Sequence, residues 1–225
     1  MDLFVDTSRK GISMALSQAA QNGSAAVYED TVDAAARGET ASTILDELLS
    51  RVGAKLDDIK RVLVTVGPGS FSGLRTGVAF CQGLCFSGKR ELYGVSTLQA
   101  LECFGSSPGA DSADSSSKGA VAVVIRARPG YWYLRQTVSG KADESFISTE
   151  EVLVRLEANT PKNIVLDDAA LADEAIAGFI QQKNISTTNE KNQPLSAWSA
   201  LFDVVPASLI QEANYIQPSY FEKLK

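Results

Sequence analysis

The chain has 225 residues, 44% of them hydrophobic, with 21 Lys and Arg against 27 Asp and Glu for a net charge of −6. That acidic balance argues against the chain gripping nucleic acid by itself, because phosphate contacts dominate such affinity. No histidine is present, which removes the usual general base, every His-dependent triad and His-ligated zinc or iron, and leaves any chemistry to carboxylates, Lys, Ser or Thr.

The length suits one large domain or two small ones. No apolar run is long enough for a transmembrane helix, and the start, Met1 to Asp6, lacks the basic residues and apolar stretch of a secretory signal. A cytoplasmic location with no membrane contact is the expectation. Three cysteines are an odd count. Cys81 and Cys85 sit in an apolar helical pattern, so buried thiols are expected rather than a disulfide framework.

Leu3 to Asp6 reads as a short buried strand, Gly11 to Leu16 as its hairpin partner, and Ala25 to Glu29 as a third strand. Ala41, Ile44, Leu45, Leu48, Leu49 and Val52 fall on one helical face, and Gly53 stops it. Arg61 to Val66 is β-branched and apolar and reads as a central strand. The turn Gly67-Pro68-Gly69-Ser70-Phe71-Ser72-Gly73 leads into a helix over Leu74 to Ser87, rich in small residues. Glu91 to Val95 is a further strand and Thr97 to Phe104 a short helix. This order of elements is an α/β layered pattern.

Residues 105–119 contain almost no apolar side chain and read as a flexible linker. It divides the chain into a first lobe, 1–104, and a second, 120–225, whose tail is expected to pack back on the first. In the second lobe Ala120 to Ile125 and Tyr131 to Val138 read as paired strands. Thr149 to Glu157 is helical, Asn163 to Leu166 a strand, and Ala169 to Gln181 a helix. Residues 182–193 are polar. Leu195 to Val205 reads as helix before an extended tail through Tyr215 and Tyr220.

Three constellations could carry function. A glycine-rich loop between a buried strand and a helix, here Gly67, Gly69, Ser70 and Gly73, can offer backbone N–H groups to an anion. It lacks the lysine of a Walker loop and the Rossmann spacing, and a tight strand-to-helix turn explains the glycines equally well. Asp6 and Thr7, at the end of the first strand, could hold a hydrated magnesium and a phosphate or satisfy the hairpin backbone. In the helix from Leu74, the residues Leu74, Val78, Cys81 and Leu84 make an apolar stripe. Phe80 points off it, and Gly77, Ala79 and Gly83 keep the remaining surface low, which suits close approach by a helix of another subunit. The acidic pairs Asp57-Asp58, Glu150-Glu151 and Asp167-Asp168 sit where capping explains them.

Three segments together resemble the TsaB (YeaZ) family. Phe4 to Ser8 with Ile12 to Leu16 is similar to its opening hairpin. Val66 to Gly77, with Gly-Pro-Gly-Ser-Phe-Ser-Gly-Leu-Arg-Thr-Gly, is similar to its most specific signature. Tyr93 to Leu101 is similar to the strand-to-helix step that follows. The likeness covers roughly the first hundred residues. Beyond them, Arg126 stands where the family has Asp, and Tyr215-Ile216-Gln217 where it has Tyr-Leu-Arg. Arg37 to Ser42 replaces a His-Ser start with paired leucines.

The resemblance implies an ASKHA (actin-like ATPase) fold of two lobes, each a mixed sheet flanked by helices. It implies a non-catalytic subunit that binds and activates the catalytic subunit TsaD in making threonylcarbamoyladenosine at position 37 of tRNA. A TsaE-like ATPase joins the pair, and tRNA is reached only through the complex. Carried onto this chain, the docking residues would be Ile44, Leu45, Leu48, Leu74, Val78, Phe80, Cys81 and Leu84. No cofactor is expected, with ATP or ADP and magnesium at the complex interface left open. The alternatives are a self-sufficient ATP-dependent enzyme of the same fold and a homodimeric binding protein.

Overall fold

The computed structural model describes residues 1–19, 25–32, 38–105, 121–138 and 140–216. They form two compact units, Met1–Thr97 with Pro194–Lys225, and Leu98–Gln193. The linker read at 105–119 lies outside the described residues apart from Gly105, as do Arg37 and the tail from Gln217.

In the first unit, β1 (Asp2–Asp6), β2 (Ile12–Ala19) and β3 (Ala25–Val32) run antiparallel, and β4 (Arg61–Gly67) and β5 (Glu91–Ser96) add in parallel, in the order β3-β2-β1-β4-β5. The crossovers are α1 (Gly38–Val52) and α2 (Phe71–Cys85). Strand residues alternate between the two faces of a sheet. Leu3, Val5, Met14, Leu16, Val62 and Val64 therefore share one face, where they form a core with Ile44, Leu45, Leu48, Cys81 and Cys85 from the helices. On the other face Phe4 and Tyr93 meet Phe202 with ring centroids at 5.6 and 4.9 Å.

Phe202 belongs to a run of 3-10 turns, Leu195–Asp203, in which Leu195, Trp198, Leu201 and Phe202 are all buried. The sequence suggested an ordinary helix here, and a second lobe running from 120 to the end. The units instead divide at Thr97 and Pro194, because these four apolar side chains belong to the first unit.

The second unit repeats the same path. Strands β6 (Val121–Arg128), β7 (Tyr131–Val138) and β8 (Lys141–Ser148) are antiparallel. Strands β9 (Asn163–Leu166) and β10 (Ser186–Asn189) follow in parallel, in the order β10-β9-β6-β7-β8. Helix α3 (Thr97–Gly105) precedes β6, α4 (Thr149–Ala158) precedes β9, and α5 (Asp168–Leu171) and α6 (Glu174–Lys183) precede β10. Val152, Leu156 and Ile176 from the helices pack on Val124, Trp132, Leu134, Ile164 and Leu166.

The single helix read over 169–181 is two. Asp167 caps α5 by accepting from Ala170 N, and Asp173 caps α6 by accepting from Ala175 N and Ile176 N. A carboxylate that bonds local backbone in this way starts a new helix rather than continuing the old one.

Candidate functional site

Glycines 67, 69 and 73 are required by close approach of the chain's own backbone. A Cβ on Gly69 would lie 2.2 Å from Ser8 O, one on Gly73 2.2 Å from Thr7 O, and one on Gly67 2.1 Å from Asn214 O. Gly67 and Gly69 also have φ of 122° and 158°, a region that side-chain-bearing residues avoid. Ser70 N donates to Ser8 O at 2.6 Å, and Ser70 Oγ accepts from Gly73 N at 3.3 Å as the N-cap of α2. The helix therefore starts at Phe71, three residues before the start read from the sequence, because the cap is Ser70.

Asp6 is buried and saturated. Its Oδ1 accepts from Ser8 N (2.9 Å), Ser8 Oγ (2.6 Å) and Thr65 Oγ1 (2.8 Å), and its Oδ2 from Arg9 Nε (3.1 Å) and Nη2 (2.7 Å). Burial acts to raise its pKa, but the Arg9 charge and the Ser8 and Arg9 hydrogen bonds outweigh it and hold the carboxyl below its ordinary value. Thr7 Oγ1 is buried, has no hydrogen-bond partner among the described residues, and lies 2.1 Å from where a Cβ on Gly77 would be.

The Asp6 carboxylate oxygens take five hydrogen bonds, and carbonyl oxygens of Asn214, Ser8 and Thr7 stand close against Gly67, Gly69 and Gly73. The loop is an internal joint that locks β1, β4 and α2 to one another.

Of the eight residues singled out for docking, Ile44, Leu45, Leu48, Leu74, Val78 and Cys81 are buried in the unit's own core. Phe80 and Leu84 are half-buried against it. The apolar stripe of each helix is taken up by its own sheet. What α2 turns outward is a different row, Phe71, Ser72, Arg75, Ala79, Gly83 and then Phe86 just beyond its end, all exposed. Phe86 is 81% exposed, and none of the described residues lies within 4 Å of a Cβ placed on Gly83. The signal was present in the sequence as an i, i+4 series at 71, 75, 79 and 83. The outer face of α1 is polar, with Ser42, Thr43, Asp46, Glu47, Ser50 and Arg51.

At the start of α2, Tyr215 stacks on Phe71 (4.9 Å) and the Arg75 guanidinium lies over the same ring at 4.0 Å. Both cysteines of α2 are inert thiols. Burial, helped by Cys85, pushes Cys81 well up, and burial raises Cys85 to about 11 against the opposing charge of Arg90.

The acidic pairs serve local structure. Asp57 accepts from Arg90 at 3.2 Å and Asp58 from Lys55 N at 2.8 Å. Asp167 caps α5, and Asp168 pairs with Lys191. Arg126 is exposed, with its backbone N–H on Asp167 Oδ2. No group of three His, Cys, Asp or Glu that could hold a metal ion occurs among the described residues. No helix among them is long and apolar enough to cross a membrane.

A unit of three antiparallel strands and two parallel ones joined by helices, built twice in one chain, is the ASKHA class of actin-like folds. Two solved structures are similar over nearly their whole length. One is YeaZ from Pseudomonas aeruginosa (TM-score 0.59, 21% identity, 97% of this chain and 98% of that one). The other is described as an uncharacterized protein with similarity to peptidase YEAZ from Pseudomonas aeruginosa (TM-score 0.62, 20% identity, 96% and 99%). At such identity they speak for the fold alone.

The family model described as "TsaD: tRNA N6-adenosine threonylcarbamoyltransferase" matches residues 33–216, and the chain belongs to that family. Two relatives are named tRNA threonylcarbamoyladenosine biosynthesis protein TsaB. That of Escherichia coli (strain K12) is 30% identical over 89 residues, which is 40% of this chain. That of Buchnera aphidicola subsp. Schizaphis graminum (strain Sg) is 26% identical over 132 residues, 56% of this chain. The chain spans 36% and 60% of the length of these two relatives. Within the wider family it falls in the TsaB/YeaZ group, as the three sequence segments implied.

Proposed function

We propose that this chain is a non-catalytic subunit in the biosynthesis of threonylcarbamoyladenosine in tRNA, and that it docks through the outer face of α2 onto a TsaD-like subunit that carries the chemistry. The observation that carries this reading is the row Phe71, Ala79, Gly83 and Phe86. Small residues flanked by two exposed aromatic rings stand on a helix whose apolar stripe packs on its own sheet. Such a low surface lets a partner's helix come close, and the rings supply apolar area to bury. The relatives' names point to the same pathway. A chain without histidine fits a supporting rather than a metal-binding role. A TsaE-like ATPase joins the pair, and the acidic chain reaches tRNA through its partners.

The test is co-purification with the TsaD-like subunit of the same organism, using Ala79→Glu and Gly83→Glu. Both positions are exposed, and Gly83 has open space around it, so folding should be unaffected. The expected result is loss of the complex at unchanged thermal stability. A complex retained by both variants rejects the surface, and threonylcarbamoylation of tRNA by the chain alone rejects the non-catalytic role.

A further inference from the structure

The C-terminal part of the first unit has two regimes. The run Leu195–Asp203 is anchored by four buried side chains. From 206 to 216 no residue is buried, and Ile210 is 77% exposed. This second stretch runs beside β5 and α2 to the glycine loop. Tyr93 and Ala207 form an isolated antiparallel bridge, and Ser208 N donates to Leu92 O at 2.8 Å. Gln82 Nε2 donates to Gln211 O at 3.0 Å, and Asn214 N donates to Val66 O at 2.6 Å. The Tyr215 ring closes the series on Phe71. Among the described residues, three hydrogen bonds, one bridge, one ring stack and the close approaches of Asn214 O to Gly67 and Gln211 Oε1 to Gly94 hold eleven residues, none of them buried, in place. A cavity of about 180 Å³ lies between the stretch and the body, with Cys85, Arg90 and Leu92 on one wall and Ala207 and Leu209 on the other.

We infer that residues 206–216 are a displaceable clasp, an intramolecular occupant of the N-terminal end of the α2 docking face that the partner must push aside. The argument rests on the proposed function for the identity of the partner, and on this chain alone for the clasp. Ordering an exposed segment is entropically costly, and this one has few contacts to offset that cost. It also lies where a docking helix would need Phe71. With Tyr215 in place, one face of that ring is covered and Arg75 lies over the ring as well. With Tyr215 withdrawn, the ring joins Ala79, Gly83 and Phe86 as a continuous row along the helix.

Amide hydrogen exchange on the full chain tests the clasp by itself. The amides of Ser208 and Asn214 should exchange at least about 100-fold faster than those of the β1–β4 ladder, such as Val64. Equal protection overturns the clasp. With the TsaD-like subunit bound, those two amides should lose their remaining protection while amides of α2 gain it. Greater protection of both sets makes 206–216 part of the interface and overturns the competition. Tyr215→Ala and Asn214→Pro, both at exposed positions, should each tighten the complex by about 3- to 10-fold, because they weaken the competitor. Unchanged or weaker binding by both overturns the inference. A chain that forms no complex at all overturns the proposed function and the competition with it, whereas exchange in the free chain still decides whether the clasp opens.

Discussion

Two glycines in the same helix should respond to the same substitution with opposite signs. In α2, a Cβ on Gly83 meets nothing within 4 Å, whereas one on Gly77 falls 2.1 Å from Thr7 Oγ1, 3.0 Å from its Cγ2 and 3.1 Å from its Cβ, all short of ordinary contact at 3.4 Å. Gly→Ala in a helix interior gains about 0.5–1 kcal/mol from backbone entropy. Gly83→Ala should keep that gain. At Gly77, turning Thr7 about χ1 leaves its Cβ at 3.1 Å and a γ atom no farther than 3.0 Å, so the helix or the β1–β2 turn must shift. Overpacking of this kind costs about 1–3 kcal/mol, leaving a net loss of up to about 2.5 kcal/mol after the propensity gain. The Thr7 hydroxyl has no hydrogen-bond partner among the described residues, so Thr7→Ala sacrifices little and removes two of the three close atoms. The double variant should recover about 1 kcal/mol or more relative to additivity. The assay is urea unfolding followed by Trp198, which is buried in the same unit, in a Trp132→Phe background that silences the second unit. If Gly77→Ala matches Gly83→Ala within about 0.5 kcal/mol, or Thr7→Ala gives no rescue, the close packing of the β1–β2 turn against α2 is not what the glycine serves.

Asp6 has a depressed folded pKa, so its contribution is complete above the ordinary value of 3.8 and is lost as the pH falls through the lower folded value. The urea midpoint should therefore drop more steeply with acid in the wild type than in Asp6→Asn, which at neutral pH should already cost about 2–3 kcal/mol. Parallel acid profiles contradict the saturated carboxylate. Leu48 is fully buried, so Leu48→Ala should cost the isolated chain about 2–5 kcal/mol. A loss under about 0.5 kcal/mol with impaired complex formation would return that residue to the docking surface.

Most of the first unit was legible because its elements carry their own periodicity. Val62 and Val64 sit in a β-branched run, and Ile44, Leu45 and Leu48 fall on one helical face. The same legibility drew attention to residues that the unit's own core buries. The strongest apolar stripe on an amphipathic helix is the one its own sheet buries, and the outward row is weaker and built partly of Ala79 and Gly83. Strands β8 and β10 escaped because they lie at sheet edges. Lys141–Ser148 has one buried residue, Ile147, and Ser186–Asn189 none, so neither needs an apolar alternation. The roles of Gly67, Gly69 and Gly73 could not be read from the loop at all. They are set by Asn214, Ser8 and Thr7, and contact with residues so distant along the chain leaves no local trace. The saturation of Asp6 depends on Thr65 in the same way.

The first unit is interrupted, and this bears on how the protein is made. Residues 98–193 form a continuous stretch that can close as soon as it has left the ribosome. The older, N-terminal half cannot, because Phe4 and Tyr93 wait for Phe202 to cover them. A nascent chain therefore carries an unfinished, sticky sheet through most of its synthesis, and premature termination between Pro194 and Phe202 would spoil the part translated first while sparing the part translated second.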